Sequence, residues 1–478
     1  MPVTCAVIVI GAFVARGFSQ SGEPNTSHNK EASAPAPDTS IAGSAGFVRS
    51  AEVGGPPEQQ AHTPAEAPQE LSYPDPNTIP YRTRKSALVH LLSVPAKVWR
   101  LAWTPLGATV RWMEHSRIPA KMFSLFYLND ERTAAVFPLI SLGGSLGTAA
   151  GLTFSHNNLF GRRKKLSASF LYNTSSNNTA QVAYQDSSLL GSRFYLDFLG
   201  LYLKDSDENL FISPLVDPTN LNDSSIGANN STEDDDVDYA TEQGSLVTRF
   251  GYALTKEIGL GLQSSFTRAD VGAAEGEPDD RIPPNLLGLG ETSLFSIGGT
   301  LMLNFTRGVP RRVAGSSLRL SYSYNRELAG DRFEYNRFTI EAAQFLPIPF
   351  LPLNRRLAIR GLFEKMDRIG EKQIPFYELS RLGDASNLRG FDQNRFRGRG
   401  LLLFNFEYRY PVWDTWDAVI FLDEGQVYDD LNDIAVDQFH TAVGTGLRFM
   451  SSSGFLMRIE IARSSEEYRA LFQVIPNF

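Results

Sequence analysis

The chain has 478 residues, room for several ordinary domains or one large barrel, and its net charge of −8 argues against nucleic acid as a general partner. Its single cysteine, Cys5, excludes a disulfide within the chain and a cysteine-based metal site. No apolar run long enough for a membrane-spanning helix occurs beyond the N-terminus, which excludes helical spans but not a barrel, whose strands only need to alternate.

Residues 1–20 contain an apolar run from Cys5 to Ala15 that resembles a signal-peptide core, although Met1–Thr4 carry no positive charge and Arg16 follows the run. An organellar transit peptide fits less well, because Glu23, Glu31 and Asp38 are acids that such segments avoid. Residues 21–80 are rich in Pro, Ala, Ser, Glu and Gln and are expected to be a disordered linker, with too little apolar area to offset ordering entropy. Residues 81–130 change character. Arg82, Arg84, Lys85, Lys97, Arg100, Arg111, Arg117 and Lys121 alternate with Leu88, Leu91, Trp99, Trp103 and Trp112, and Pro95 and Pro105 break the run. Short basic amphipathic helices follow, lying either in a membrane interface or against the mouth of a barrel.

From about Thr133 the period is two. Leu166, Ala168, Phe170 and Tyr172 oppose Lys165, Ser167 and Ser169; Leu318, Leu320, Tyr322 and Tyr324 oppose Arg319, Ser321 and Ser323; Phe455, Met457, Ile459 and Ile461 oppose Arg458 and Glu460. Roughly sixteen such segments reach Phe478, the spacing expected of membrane strands of about ten residues. The long connections fall at 204–243, 269–290, 371–399 and 425–438, each between an odd strand and the next even one, and short turns such as 255–257, 411–416 and 451–454 lie on the other rim. The expected fold is therefore all-β: a sixteen-stranded antiparallel transmembrane β-barrel over 131–478, with its long loops outside.

No chemistry emerges. Gly143-Gly144-Ser145-Leu146-Gly147 matches a nucleophile motif but lacks the strand-to-helix elbow and reads as a turn between the first two strands. The six histidines show no ligand spacing, the acidic run Glu233–Asp236 has no calcium-loop spacing, and Glu466 and Glu467 read as solvated. Neither an enzyme nor a cofactor is expected.

The most informative stretch runs from Gln373 to Tyr428. Leu402, Phe404, Phe406, Tyr408 and Tyr410 share one strand face; Asn405, Glu407 and Arg409 share the other. Upstream, in a loop rich in Gly, Asn, Arg and Asp, lies Leu388-Arg389-Gly390-Phe391; downstream lies Phe421-Leu422-Asp423-Glu424-Gly425-Gln426-Val427-Tyr428. A guanidinium is always charged and forks onto carboxylates, so away from bulk water Arg389 could fix a long loop against Glu407 and Asp423.

These motifs, with Ile374–Glu378 upstream, resemble the end of the outer-membrane barrel assembly factors (BamA, TamA and relatives, the bacterial surface antigen barrels). Asn158-Leu159-Phe160-Gly161 and Thr306-Arg307-Gly308-Val309-Pro310 extend the resemblance over about 130–478. The resemblance implies an integral outer-membrane barrel that helps insert or translocate outer-membrane proteins. It also implies a lumen loop in which Arg389 meets Glu407 and Asp423, and as partners outer-membrane lipids, client proteins or a periplasmic subunit. The POTRA domains usual in that family are not legible here. The alternative is a structural or channel barrel with no insertase activity. What separates the two is the closing seam, where Pro138 and Pro476 would each remove a ladder donor and Phe478 forms an aromatic end.

Overall fold

The computed structural model describes residues 125–478 except 143–148, 174–176, 213–226, 228, 230, 232–235, 275–281, 283–284, 309–312, 349–354, 414, 451–454 and 477–478. The expected signal segment at 1–20 and linker at 21–80, and all but the end of the helical segment at 81–130, lie outside these residues. So do Gly143, Gly144, the acidic run up to Asp235, and Phe478.

The strands are β1 (Ala134–Leu142), β2 (Ala149–Leu159), β3 (Lys164–Asn173), β4 (Asn178–Asp186), β5 (Phe194–Phe211), β6 (Asp236–Ala253), β7 (Ile258–Ala273), β8 (Gly290–Asn304) and β9 (Gly315–Glu327). They continue with β10 (Glu334–Pro347), β11 (Arg356–Arg368), β12 (Ser380–Leu382), β13 (Phe396–Gly398), β14 (Gly400–Pro411), β15 (Trp416–Tyr428), β16 (His440–Met450), β17 (Phe455–Arg463) and β18 (Tyr468–Pro476). All but β12 and β13 form one closed antiparallel barrel of sixteen strands in sequence order, with β1 beside β18. Among the described residues no helix is long and apolar enough to cross a membrane.

Alternation builds the wall. On β5, Phe194, Phe198 and Tyr202 face outward while Tyr195, Leu199, Leu201 and Leu203 are buried inside. Leu152, Phe170, Val182, Leu246, Leu262, Ile297 and Ile461 continue the exposed apolar band, which in water would be a liability and in lipid is the stable outcome.

The connection read from sequence as 204–243 is shorter than expected. β5 continues to Phe211 and β6 begins at Asp236, so Lys204–Asn209, a charged run that looks like loop, is strand. A bulge between Asp205 and Glu208 shifts the register there, and the two strands stand beyond the length a bilayer requires.

The connection from β11 to β14 folds into the barrel. It carries a 3-10 turn at Phe376–Glu378 and the small hairpin β12–β13, neither expected from sequence. Ile374, Phe376, Tyr377 and Leu379 pack on wall residues such as Leu210, Tyr239, Leu294 and Tyr335. Leu382, Leu388, Phe391 and Phe396 pack on Leu401, Leu403, Val427 and Ala442. Each such side chain contributes about 1.5–3 kcal/mol when fully buried, so the loop is held by a core of its own before any charge is counted.

Candidate functional site: the lumen loop and the closing seam

Arg389 lies at the crest of the inward loop, 6% exposed. Its Nε donates to Asp423 Oδ2 at 2.7 Å and its Nη2 to Asp423 Oδ1 at 2.7 Å, a two-pronged fork. Its Nη1 donates to Glu407 Oε1 at 2.8 Å and, at 3.3 Å, to Glu460 Oε2. The ring of Phe421 lies 3.5 Å from the guanidinium carbon. That ring fits because residue 444, opposite it on β16, is glycine: a Cβ there would fall 2.1 Å from the Phe421 ring. Gly390 is required for a different reason. Its φ of +89° is left-handed, and a Cβ would press on Ser464 and Ala462 at 3.3 to 3.4 Å. Burial works against the Arg389 charge, but the carboxylates of Asp423 and Glu407 outweigh it and hold its pKa well above the ordinary guanidinium value.

The structure places Leu388 and Phe391 in the buried loop core and Arg389 against both Glu407 and Asp423. Four partners went unread. Arg409 and Arg448 also donate to Glu407, and Arg448 bridges to Glu460 at 2.6 Å. Asn405 supports Asp423 with a 2.8 Å hydrogen bond. The signal for them is parity: Arg448 lies between Leu447 and Phe449, and Glu460 between Ile459 and Ile461, so each charge must face inward.

The other end of the loop is anchored on the opposite wall. Glu208 of β5, buried, accepts from Arg381 Nη1 and Asn394 Nδ2 at 2.8 Å each and from Arg397 Nη2 at 3.4 Å. Arg397 Nη2 also donates to Tyr239 Oη at 3.0 Å. Arg395 donates to Ser231 Oγ and pairs with Glu466 at 2.9 Å. Glu466, read as a solvated acid, is therefore a partner of the loop, and Glu467 pairs with Arg469. The loop is a strut across the lumen, held at β14, β15 and β17 on one side and at β5 on the other. Glu208→Ala is expected to weaken the second anchorage by about 3 kcal/mol, because it leaves buried guanidiniums short of an anion. Limited proteolysis within 380–398 and conductance in planar bilayers should both rise; unchanged values would mean that the apolar packing alone fixes the hairpin.

The seam lies apart from this cluster. β1 and β2 pair from Ala134↔His156 to Ser141↔Ala149; among the described residues β1 and β18 pair from Ile140↔Val474 to Leu142↔Phe472, and no pair joins residues 134–139 of β1 to β18. Thr133 O accepts from Asn157 on the β2 side, so even-numbered residues of β1 turn their backbone groups toward the seam. On β18, Glu467 O accepts from Ser464 on the β17 side, so even-numbered residues of that strand face the seam too. Continuing the register from Ile140↔Val474 would set Pro138 opposite Pro476 at a hydrogen-bonded position with no donor on either strand. The ladder ends short of that position.

A family model described as Omp85 superfamily domain matches residues 158–470. No curated protein sequence matches the chain. Among solved structures, BamA from Haemophilus ducreyi lacking POTRA domains 1–3 is 16% identical with a TM-score of 0.52, covering 72% of this chain and 70% of that one. CdiB from Acinetobacter baumannii is 13% identical with a TM-score of 0.47, covering 72% of this chain and 59% of that one. CdiB from Escherichia coli is likewise 13% identical, with a TM-score of 0.49 and coverages of 72% and 62%. At 16% identity the likeness to BamA is one of fold alone, and the chain spans about three fifths of each CdiB structure.

Proposed function

Because this chain belongs to the Omp85 superfamily, as an integral outer-membrane β-barrel of a protein insertion and translocation family, we propose that it aids insertion or translocation of outer-membrane proteins through the seam between β1 and β18. The observation that carries this reading is where the closing ladder stops: among the described residues it reaches Ile140 and goes no further toward the start of β1, just before the rung where Pro138 and Pro476 would meet. A net hydrogen bond is worth about 1 kcal/mol, and an unsatisfied backbone group in lipid costs several, so a wall with few closing bonds is the place where it parts most easily. A strand of a client barrel arriving there would satisfy the open edge by pairing with it. Arg389, with Glu407 and Asp423, has the supporting role in this reading: it keeps the loop fixed while the seam moves. The partners are outer-membrane lipids, client proteins and, at the periplasmic rim, a subunit that delivers them.

Reconstitution tests this reading. In lipid vesicles the chain should speed the folding of an unfolded eight-stranded outer-membrane barrel, followed by its gel-mobility shift, several-fold over protein-free vesicles. Equal rates would leave a structural or channel barrel as the better account.

A further inference from the structure

The seam edge of β1 is not bare where β18 leaves it. Residues 126–128, immediately ahead of β1, turn back and lie along Ala134–Val136. Leu128 N–H donates to Ala134 O at 2.8 Å and Val136 N–H to Phe126 O at 2.8 Å, with Tyr127 bridged antiparallel to Ala135. Ala134 and Val136 are even-numbered, so these are the backbone groups turned away from β2. The segment therefore lies on the β18 side of β1, along the part of the edge ahead of the rungs that β18 occupies.

The turn is built for this. Asn129 Oδ1 accepts from the backbone N–H groups of Thr133 at 2.9 Å and Ala134 at 3.1 Å, and its Nδ2 donates to Thr133 Oγ1 at 2.7 Å. Arg132 takes a left-handed φ of 55° and sets its guanidinium 5.7 Å from the Tyr127 ring centre. The rings of Phe126 and Tyr127 lie 5.4 and 5.9 Å from that of Phe137. Leu128 itself is 62% exposed.

We propose that residues 126–128 are a latch: a short strand of the chain itself that covers the periplasmic half of the β1 edge and must leave before another strand pairs there. The proposal rests on the seam reading given above. The arrangement splits the β1 edge into three parts. The latch covers 134–136, Pro138 offers no donor, and β18 covers 140–142. Two ladder hydrogen bonds make a reversible cover, since each shifts the closed-to-open ratio by roughly fivefold. The latch also prevents the open edge from pairing with the wrong strand.

Two variants in a Cys5→Ser chain, held in lipid nanodiscs, test the latch. Leu128→Pro deletes one ladder donor at an exposed side chain. Tyr127→Cys with Ala135→Cys places two thiols at a non-hydrogen-bonded pair, where facing side chains are closest, so oxidation fixes the latch shut. The probe is a synthetic peptide copying residues 125–131, whose own pairing is with Ala134–Val136. In Leu128→Pro, amide exchange at Val136 should quicken roughly fivefold while Ile140 and Leu142 keep their rates, and the peptide should bind roughly fivefold tighter. The oxidised pair should not bind the peptide until reduced. Equal Val136 exchange in the two chains, or equal peptide binding by the oxidised and reduced pair, overturns the latch. Failure of the seam reading registers elsewhere, in the reporter-folding assay, and leaves the exchange result intact.

Discussion

Arg389→Ala is expected to release the crest of the inward loop at a cost of about 3–5 kcal/mol, the range for removing one partner of a buried ion pair. The damage falls unequally. Glu407 keeps Arg409 and Arg448, whereas Asp423, 0% exposed, keeps two neutral donors, the Asn405 amide and the backbone N–H of residue 389, and an uncompensated charge. Adding Asp423→Asn to Arg389→Ala should therefore recover part of the loss, because it removes the stranded charge. Arg389→Lys should fall between wild type and alanine: an ammonium supplies charge but cannot fork onto both Asp423 oxygens while reaching Glu407. Limited proteolysis of the 369–399 loop checks all three variants, with Arg389→Ala cut fastest and reporter folding slowed. If Arg389→Ala resists protease as wild type does, the apolar core beneath Leu388 and Phe391 suffices and the ion pairs set nothing.

The Arg389 site was legible because two independent signals met. The loop motif named the cation, and strict alternation on β14 and β15 put Glu407 and Asp423 on the inner face. Glu460 and Arg448 carried the same alternation signal but lie on β16 and β17. Their joining the cluster around Arg389 depends on the barrel's curvature and strand stagger, which no local pattern encodes. Glu208 was hidden more thoroughly. The run Lys204-Asp205-Ser206-Asp207-Glu208-Asn209 looks like loop, and the bulge that turns Glu208 inward is a register shift between strands. Glu466 was misread for the same reason: its partner Arg395 lies 71 residues away and reaches it only because the loop enters the lumen.

At the seam the sequence supplied the two prolines but not their relation. That the register, carried on from Ile140↔Val474, would set Pro138 and Pro476 at one rung depends on strand stagger and not on either strand's own sequence. Nor could the sequence show that residues 126–128 return to the β1 edge, since a single bridge with an Asn-led turn has no periodicity to detect.

The largest effect predicted for the function itself comes from closing the seam covalently. Ser141 and Gln473 face each other in the β1–β18 ladder at a non-hydrogen-bonded pair, the geometry that brings facing side chains nearest. Ser141→Cys with Gln473→Cys, in a Cys5→Ser chain, can be oxidised in the vesicles used for the reporter assay. The account predicts that the reduced pair speeds reporter folding as the unmodified chain does, that the oxidised pair falls to the rate of protein-free vesicles, and that reductant restores it. An oxidised pair that speeds folding as well as the reduced one would contradict the account, because the activity would then need no opening between β1 and β18.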